Sequence, residues 1–363
     1  MRRTPTLIVG GGPAGAAAAI MLARAEAPHL LIERTRETGD ALCGGFLSWR
    51  TLAALERLGV ASDDLNPASI SRVRLFVGDR TTEAPLPAPA KGVSRHRLDT
   101  LLLQRAIDDG AAVERGVAVR AIDDEVRLDD GSSIAADALF LASGKHDVRG
   151  LVRPAAARGN DPALGLRVRL GPAPGLTRLV GDAIELHAFD RGYAGLDLQE
   201  DGAGNLCMAV HRSRLQEAGD PEKLLAGLAR DHPQLGERLA YRQGGGLDAV
   251  ANVPYGWRAT EGVAGLFRLG DQAGVIPSLA GEGMGIAIAS GVSAAAARIG
   301  GGDGADWQRA FGRRIARPIA VAGVIRMLAE NRATAPLLLA AARLFPPLVG
   351  ISASATRIPH EIA

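Results

Sequence analysis

Cysteine is almost missing from this chain: Cys43 and Cys207 are the only two in 363 residues. Two are too few for a disulfide framework, and their spacing suits no zinc site, so a reducing cytoplasm is expected. Lysine is nearly as scarce. Lys91, Lys145 and Lys223 stand among 42 basic residues, so arginine carries the positive charge. With a formal net charge of +2 and no block of like charges, the composition gives no reason to expect a nucleic-acid partner. Long apolar runs are lacking too. The longest, Ala14–Ala23 and Leu337–Ala342, fall short of the roughly 20 residues a spanning helix needs, so no integral membrane span is expected. No export signal is read at the start, where Met1-Arg2-Arg3 runs directly into Leu7-Ile8-Val9 and a glycine turn that nearby cleavage would destroy.

What is present is ordinary for a globular enzyme, with 47% apolar and 23% charged residues. The length predicts two domains, or one doubly wound unit with an inserted layer. The opening reads as strand Thr6–Val9, a glycine turn, helix Ala14–Ala25 and strand Leu30–Glu33, which is one βαβ unit. A helix over Trp49–Leu58 closes on Gly59, and another over Leu98–Asp109 closes on Gly110. Between them, prolines at 85, 87 and 89 among short β-like runs suggest an excursion. Strands alternate through Val113–Leu128, a short buried strand covers Ala138–Ala142, and the stretch beyond is richer in turns. The expected organisation is a first, doubly wound domain in three parts, 1–68, 93–150 and 253–303, with an excursion into a second domain at 69–92, the β-rich body of that second domain at 151–252, and C-terminal helices over 304–363.

Gly10-Gly11-Gly12-Pro13-Ala14-Gly15 satisfies G-x-G-x-x-G immediately after a strand and at the start of a helix. Gly10 permits the tight turn, Gly12 leaves room for a pyrophosphate, and Gly15 lets helix and strand pack closely. Pro13 and Ala14 open the helix whose positive end then faces the phosphates. Glu33 closes the second strand, where a carboxylate accepts ribose hydroxyl protons. Such a fingerprint fits NAD or FAD. The choice comes from Gly270-Asp271 through Pro277, and from Gly281-Glu282-Gly283-Met284-Gly285, which open a second helix after a short apolar strand. A carboxylate at that strand end suits a polyol chain, and a second helix start stabilises negative charge on a reduced flavin.

These motifs, in this order over about residues 5 to 300, resemble the glutathione-reductase-type flavoproteins of the para-hydroxybenzoate hydroxylase and geranylgeranyl reductase group. The resemblance implies an α/β fold: a doubly wound, Rossmann-like FAD-binding domain with an inserted β-rich substrate domain and C-terminal helices. By the same resemblance Arg95, in Ser94-Arg95-His96-Arg97-Leu98-Asp99, approaches the FAD pyrophosphate, and Asp271 the ribityl or pyrophosphate region. Gly283 and Met284 pass close to the isoalloxazine. Ser143 and Gly144 bring backbone to the cofactor, and Arg34 and Val119 join its contacts. Cys43-Gly44-Gly45 resembles a turn beside the flavin in the geranylgeranyl reductase branch. A lone cysteine is more often a small hydrophobe than a redox group, so no catalytic role is expected for Cys43. Lys145 and His146 read as solvated. The Tyr-x-Trp-x-Phe-Pro motif of prenyl reductases is missing, its region reading Phe189-Asp190-Arg191-Gly192-Tyr193-Ala194-Gly195-Leu196, and so is the tryptophan motif of flavin halogenases.

The leading expectation is an NAD(P)H-driven FAD monooxygenase acting on an apolar, aromatic or polyketide-like small molecule. The alternatives are a reductase of isoprenoid or other C=C bonds, and a non-catalytic flavoprotein serving as redox sensor or assembly subunit. No catalytic acid or base is named by the sequence. From residue 305 on, eight arginines stand against three acidic residues beside Leu337-Leu338-Leu339 and Phe345-Pro346-Pro347-Leu348. Such helices either cover the substrate pocket or rest peripherally on an anionic membrane.

Overall fold

The computed structural model describes residues 2–359. Strand Arg2–Val9 rises through the middle of a seven-stranded sheet, parallel to Leu30–Glu33 on one side and to Ser133–Leu141 on the other. Ala112–Arg115 extends the sheet beyond Leu30–Glu33, again in parallel. The Ser133–Leu141 strand divides its outer edge: its start pairs antiparallel with Val126–Leu128, and its end pairs parallel with Leu266–Arg268. The chain thus returns to the first sheet more than a hundred residues after leaving it.

Small residues set the close packing behind this sheet. The helix Pro13–Arg24 is built on alanine, with Ala16, Ala17, Ala18 and Ala19 all fully buried. It therefore crosses helix Gly283–Ile299 backbone to backbone; a Cβ added at Gly291 would lie 2.1 Å from the carbonyl oxygen of Ala14. Aromatic packing closes the far side, where Phe140, Phe267, Trp307 and Phe311 stack in series with ring centroids 4.6–5.6 Å apart.

The second sheet has eight strands, drawn from Phe46–Leu47, Ile70–Val77, Arg80–Gly92, and the stretch from Ala163 to Val253. All its pairings are antiparallel except Ile70–Val77 with Ala183–Phe189. One face packs on helices Pro221–Asp231 and Pro233–Leu239 through Leu166, Val168, Leu224 and Leu228. The period of two sends Ile184, Leu186 and Ala188 to the opposite face and Glu185 and His187 to the packed one. There Glu185 is fully buried; burial would raise its pKa, but hydrogen bonds from His187 and Arg238 bring it down to about 2. Four helices, Gly304–Arg314, Ala316–Ala329, Ala335–Leu344 and Pro347–Ala355, complete the described chain. The α/β fold, with its doubly wound FAD-binding domain, β-rich insertion and C-terminal helices, is as the sequence implied.

Candidate functional site

The two helix starts meet at one cavity of about 460 Å³. At the first, Gly10 adopts φ +109°, and a Cβ there would sit 2.5 Å from the Ala142 carbonyl oxygen. A Cβ at Gly15 would lie 1.9 Å from the Gly10 carbonyl oxygen, so Gly15 is a packing position. Gly12 differs: it caps the helix in extended backbone with no side chain over the helix end, and a Cβ there would meet only Arg95 Nη2, at 3.3 Å. Gly12, Pro13 and Ala14 line the cavity. The helix therefore presents uncapped N–H groups and a guanidinium to one spot, which is the chemistry a pyrophosphate needs.

Arg95 is fixed there by Asp99, which accepts from Nε at 2.8 Å and Nη2 at 2.6 Å. Its own backbone N–H donates to Asp40 Oδ1 at 3.0 Å. Glu33 faces the same turn, its Oε2 accepting from the Gly11 N–H at 2.7 Å and its Oε1 from Thr35. Its carboxylate thus sits at the glycine turn already half satisfied by the chain itself.

At the second start, Glu282 stands at the N-cap of Gly283–Ile299 yet does not cap it. Its buried carboxylate turns away to Ser48 at 3.2 Å and Arg357 at 3.3 Å. The helix end is left open, with Gly283 and Met284 on the cavity wall and no atom within 4 Å of a Cβ built at Gly283. Gly270, Asp271 and Gly281 line the same space. Two uncapped helix ends on one cavity, one beside an arginine, suit the two ends of an FAD. An FAD placed there would meet Gly12, Pro13, Ala14 and Arg95 with its phosphates, and Asp271, Gly281, Gly283 and Met284 towards its ring, all of which line the cavity.

Cys43, Gly44 and Gly45 also line the cavity. Their loop is held by the second sheet. Asn205 Nδ2 donates to the Cys43 carbonyl at 3.0 Å, and the Cys207 thiol donates to the same oxygen at 2.9 Å. Arg167, 2% exposed, clamps the preceding turn by donating to the Asp40 carbonyl at 2.6 Å and to Asp248 at 2.8 Å. Of the remaining candidates, Gly10, Gly15, Ser143 and Pro277 lie close in the chain to lining residues without lining the cavity themselves. Ser143 Oγ donates to the His146 carbonyl at 2.8 Å. Arg34 lies exposed beside His146, and Val119 packs in a separate cluster under the first sheet, both away from the cavity lining.

Lys145 corrects the expectation that it is solvated. Gly144, at φ +63°, turns the chain inward, and Lys145 lines the cavity with its Nζ 3.7 Å from Asp271 Oδ2. Burial would lower its pKa, but Asp271 more than restores it, so the ammonium stays charged. Also missed were Tyr193, Tyr255 and Ser278, which line the cavity, and Asp40 and Arg167, which brace it from outside the lining. Each lies outside a glycine motif, and the buried arginine in the alternating strand Ala163–Leu170 is the one signal that could have been followed.

Beyond the dinucleotide end the cavity becomes apolar, bounded by Val73, Leu75 and Leu186 from the sheet and by Leu338, Leu339 and Val349 from the C-terminal helices. Among the described residues no single helix is long and apolar enough to cross a membrane; Ala335–Leu344 and Pro347–Ala355 qualify only as a pair, bent by 115°.

Residues 3–150 match the family described as FAD binding domain. A menaquinone reductase of Mycolicibacterium smegmatis is 32% identical over 162 residues, 41% of this chain and 40% of that protein. A digeranylgeranylglycerophospholipid reductase 2 of Methanopyrus kandleri is 27% identical over 259 residues, 64% of this chain and 61% of that protein. The matches thus span less than two thirds of either relative. Among solved structures, a flavoprotein/dehydrogenase from Cytophaga hutchinsonii has a TM-score of 0.76 at 16% identity, over 91% of this chain and 86% of that one, which is a likeness of fold.

Proposed function

We infer, from the premise that the chain is an FAD-dependent oxidoreductase, that it reduces a carbon–carbon double bond of an apolar, prenyl-like substrate. The observation that carries this reading is the shape of the cavity: polar where two helix starts converge, then walled by aliphatic side chains out to the C-terminal helices. The names of both relatives as reductases support it over the hydroxylase reading. FAD bound there would supply hydride transfer, recharged by NAD(P)H. The chain's part is to hold the phosphates with Gly12 and Arg95, to offset negative charge at the ring with the Gly283 helix end, and to keep water from the reacting end with aliphatic walls. The proposed cofactor set extends to Cys43, Gly44, Gly45, Gly144 and Gly270 on the cavity wall and to Glu33 at the glycine turn, with Gly10, Gly15, Ser143 and Pro277 shaping the backbone outside the lining.

The exposed surface supports entry of the substrate along the C-terminal helices. Ten large apolar side chains are exposed among the described residues, and six of them, Val324, Met327, Leu337, Leu344, Phe345 and Ile351, lie on or between the C-terminal helices. Arg332 and Arg343 are exposed among them. Basic residues around an apolar face suit peripheral contact with an anionic lipid surface, and the inner sides of the same helices wall the cavity. The test is anaerobic. The yellow protein is reduced with NADH or NADPH and mixed with a prenyl alkene, then followed by flavin reoxidation and mass spectrometry of the product. A saturated product without oxygen supports the reading; reoxidation only on readmitting oxygen, with a hydroxylated product, overturns it in favour of a monooxygenase.

A further inference from the structure

Three hydroxyls that the proposed reduction does not use converge on the cavity wall. Tyr193 comes from strand Gly192–Leu198 of the second sheet, Tyr255 from the segment after strand Asp248–Val253, and Ser278 from the loop that leads into the Gly283 helix. All three line the cavity. Tyr193 Oη is hydrogen-bonded to Ser278 Oγ, and Tyr255 Oη lies 2.7 Å from that same Oγ. Burial raises the pKa of both phenols, so both remain O–H groups.

A proton count gives this trio its meaning. Each hydroxyl brings one proton, and two hydrogen bonds join the three oxygens. Those two bonds use two of the three protons, and the third is free to turn from the neighbouring phenol to an acceptor in the cavity. Tyr193 is 3% exposed, whereas Tyr255 is half-buried and Ser278 exposed, so the remaining proton is presented on the accessible side of the trio, where a ligand oxygen can take it. The Arg326 guanidinium lies 4.6 Å over the Tyr255 ring, and its positive charge strengthens that phenol as a donor. We propose that Tyr193, Tyr255 and Ser278 form a hydrogen-bonding site for one oxygen of the substrate. Resting on the apolar-substrate reading, this narrows the class to an apolar molecule that carries a carbonyl, ether or hydroxyl acceptor, and sets a plain hydrocarbon apart from it.

Binding rather than turnover tests it. The oxidised holoprotein is titrated with farnesol, farnesyl methyl ether and farnesene, read by the flavin absorbance band and by tryptophan fluorescence. The ether, which can only accept, should bind about fivefold more tightly than the hydrocarbon, the advantage of one neutral hydrogen bond in a buried site. In the triple variant Tyr193→Phe/Tyr255→Phe/Ser278→Ala, which deletes three oxygens and no carbon, that preference should vanish while flavin content stays. Equal binding of ether and hydrocarbon to the unaltered protein overturns the oxygen site and leaves the apolar reading intact. An unchanged preference in the triple variant also overturns it. If none of the three ligands binds, the apolar cavity reading falls and takes the oxygen site with it.

Discussion

Gly12→Val separates the cofactor's needs from those of the fold. Gly12 sits in extended backbone at φ −72°, which any residue adopts, and its side of the turn faces the cavity. A valine there adds a Cβ 3.3 Å from Arg95 Nη2 and two further methyls beyond it. Arg95 cannot swing away freely because Asp99 holds it through two hydrogen bonds. The methyls then occupy the space where phosphate oxygens would meet the helix N–H groups and the guanidinium. Losing two or three charge-assisted hydrogen bonds of about 1.5–3 kcal/mol each weakens FAD on the order of a hundredfold or more. The variant should purify folded but colourless, with parent-like circular dichroism and no rise in Tm when FAD is added, whereas the parent rises with ligand concentration. Gly15→Val is the control. Its Cβ would lie 1.9 Å from a backbone oxygen, so it should lose the fold itself. A yellow Gly12→Val protein with the parent's flavin content would refute the placement of the phosphates.

Asp197 is fully buried, neither carboxylate oxygen finds a hydrogen bond of ordinary geometry, and burial lifts its pKa well above the carboxylate range, with only partial relief from Asn205. The folded state therefore holds that proton more tightly than the unfolded one, and its contribution declines as pH rises above about 4 towards the folded pKa, by up to about 1.4 kcal/mol per pH unit. Asp197→Asn should match the parent in urea melts near pH 4 and exceed it by about 1–3 kcal/mol at neutral pH; equal stability at neutral pH would show the carboxyl to be solvated. His211 has its pKa raised, chiefly by the hydrogen bond to Glu330 at the end of helix Ala316–Ala329. Its stabilisation is present below the unfolded pKa of about 6.5 and is lost as pH rises through the folded value, so His211→Gln should cost ~1 kcal/mol at pH 6 and nothing at pH 9. An equal cost at both would exclude the charged pair. Leu344 is 86% exposed and Phe345 54%. If these side chains enter lipid, Leu344→Asp/Phe345→Asp should reduce sedimentation with anionic vesicles by about tenfold or more; undiminished sedimentation would remove the C-terminal helices from the membrane contact.

What the residue order determined by itself is whatever is written within a few consecutive positions. A glycine at φ +109°, a strand of alternating burial, and a helix that opens without a capping side chain are local backbone facts, so the first βαβ turn and the second glycine-rich helix start were legible, and with them the dinucleotide. The tertiary structure alone decided which distant segments share a wall. Asp40 is fixed behind the Cys43 loop because Arg167, 127 residues later, lies on a strand whose pairing turns it inward. Lys145 faces Asp271 because one left-handed glycine reverses the chain. Tyr193 and Ser278 are 85 residues apart and meet only when the second sheet folds over the first. Side-chain adjacency of that kind depends on strand register and helix crossing. Those are fixed by the burial of the whole core, so no short stretch of sequence records them.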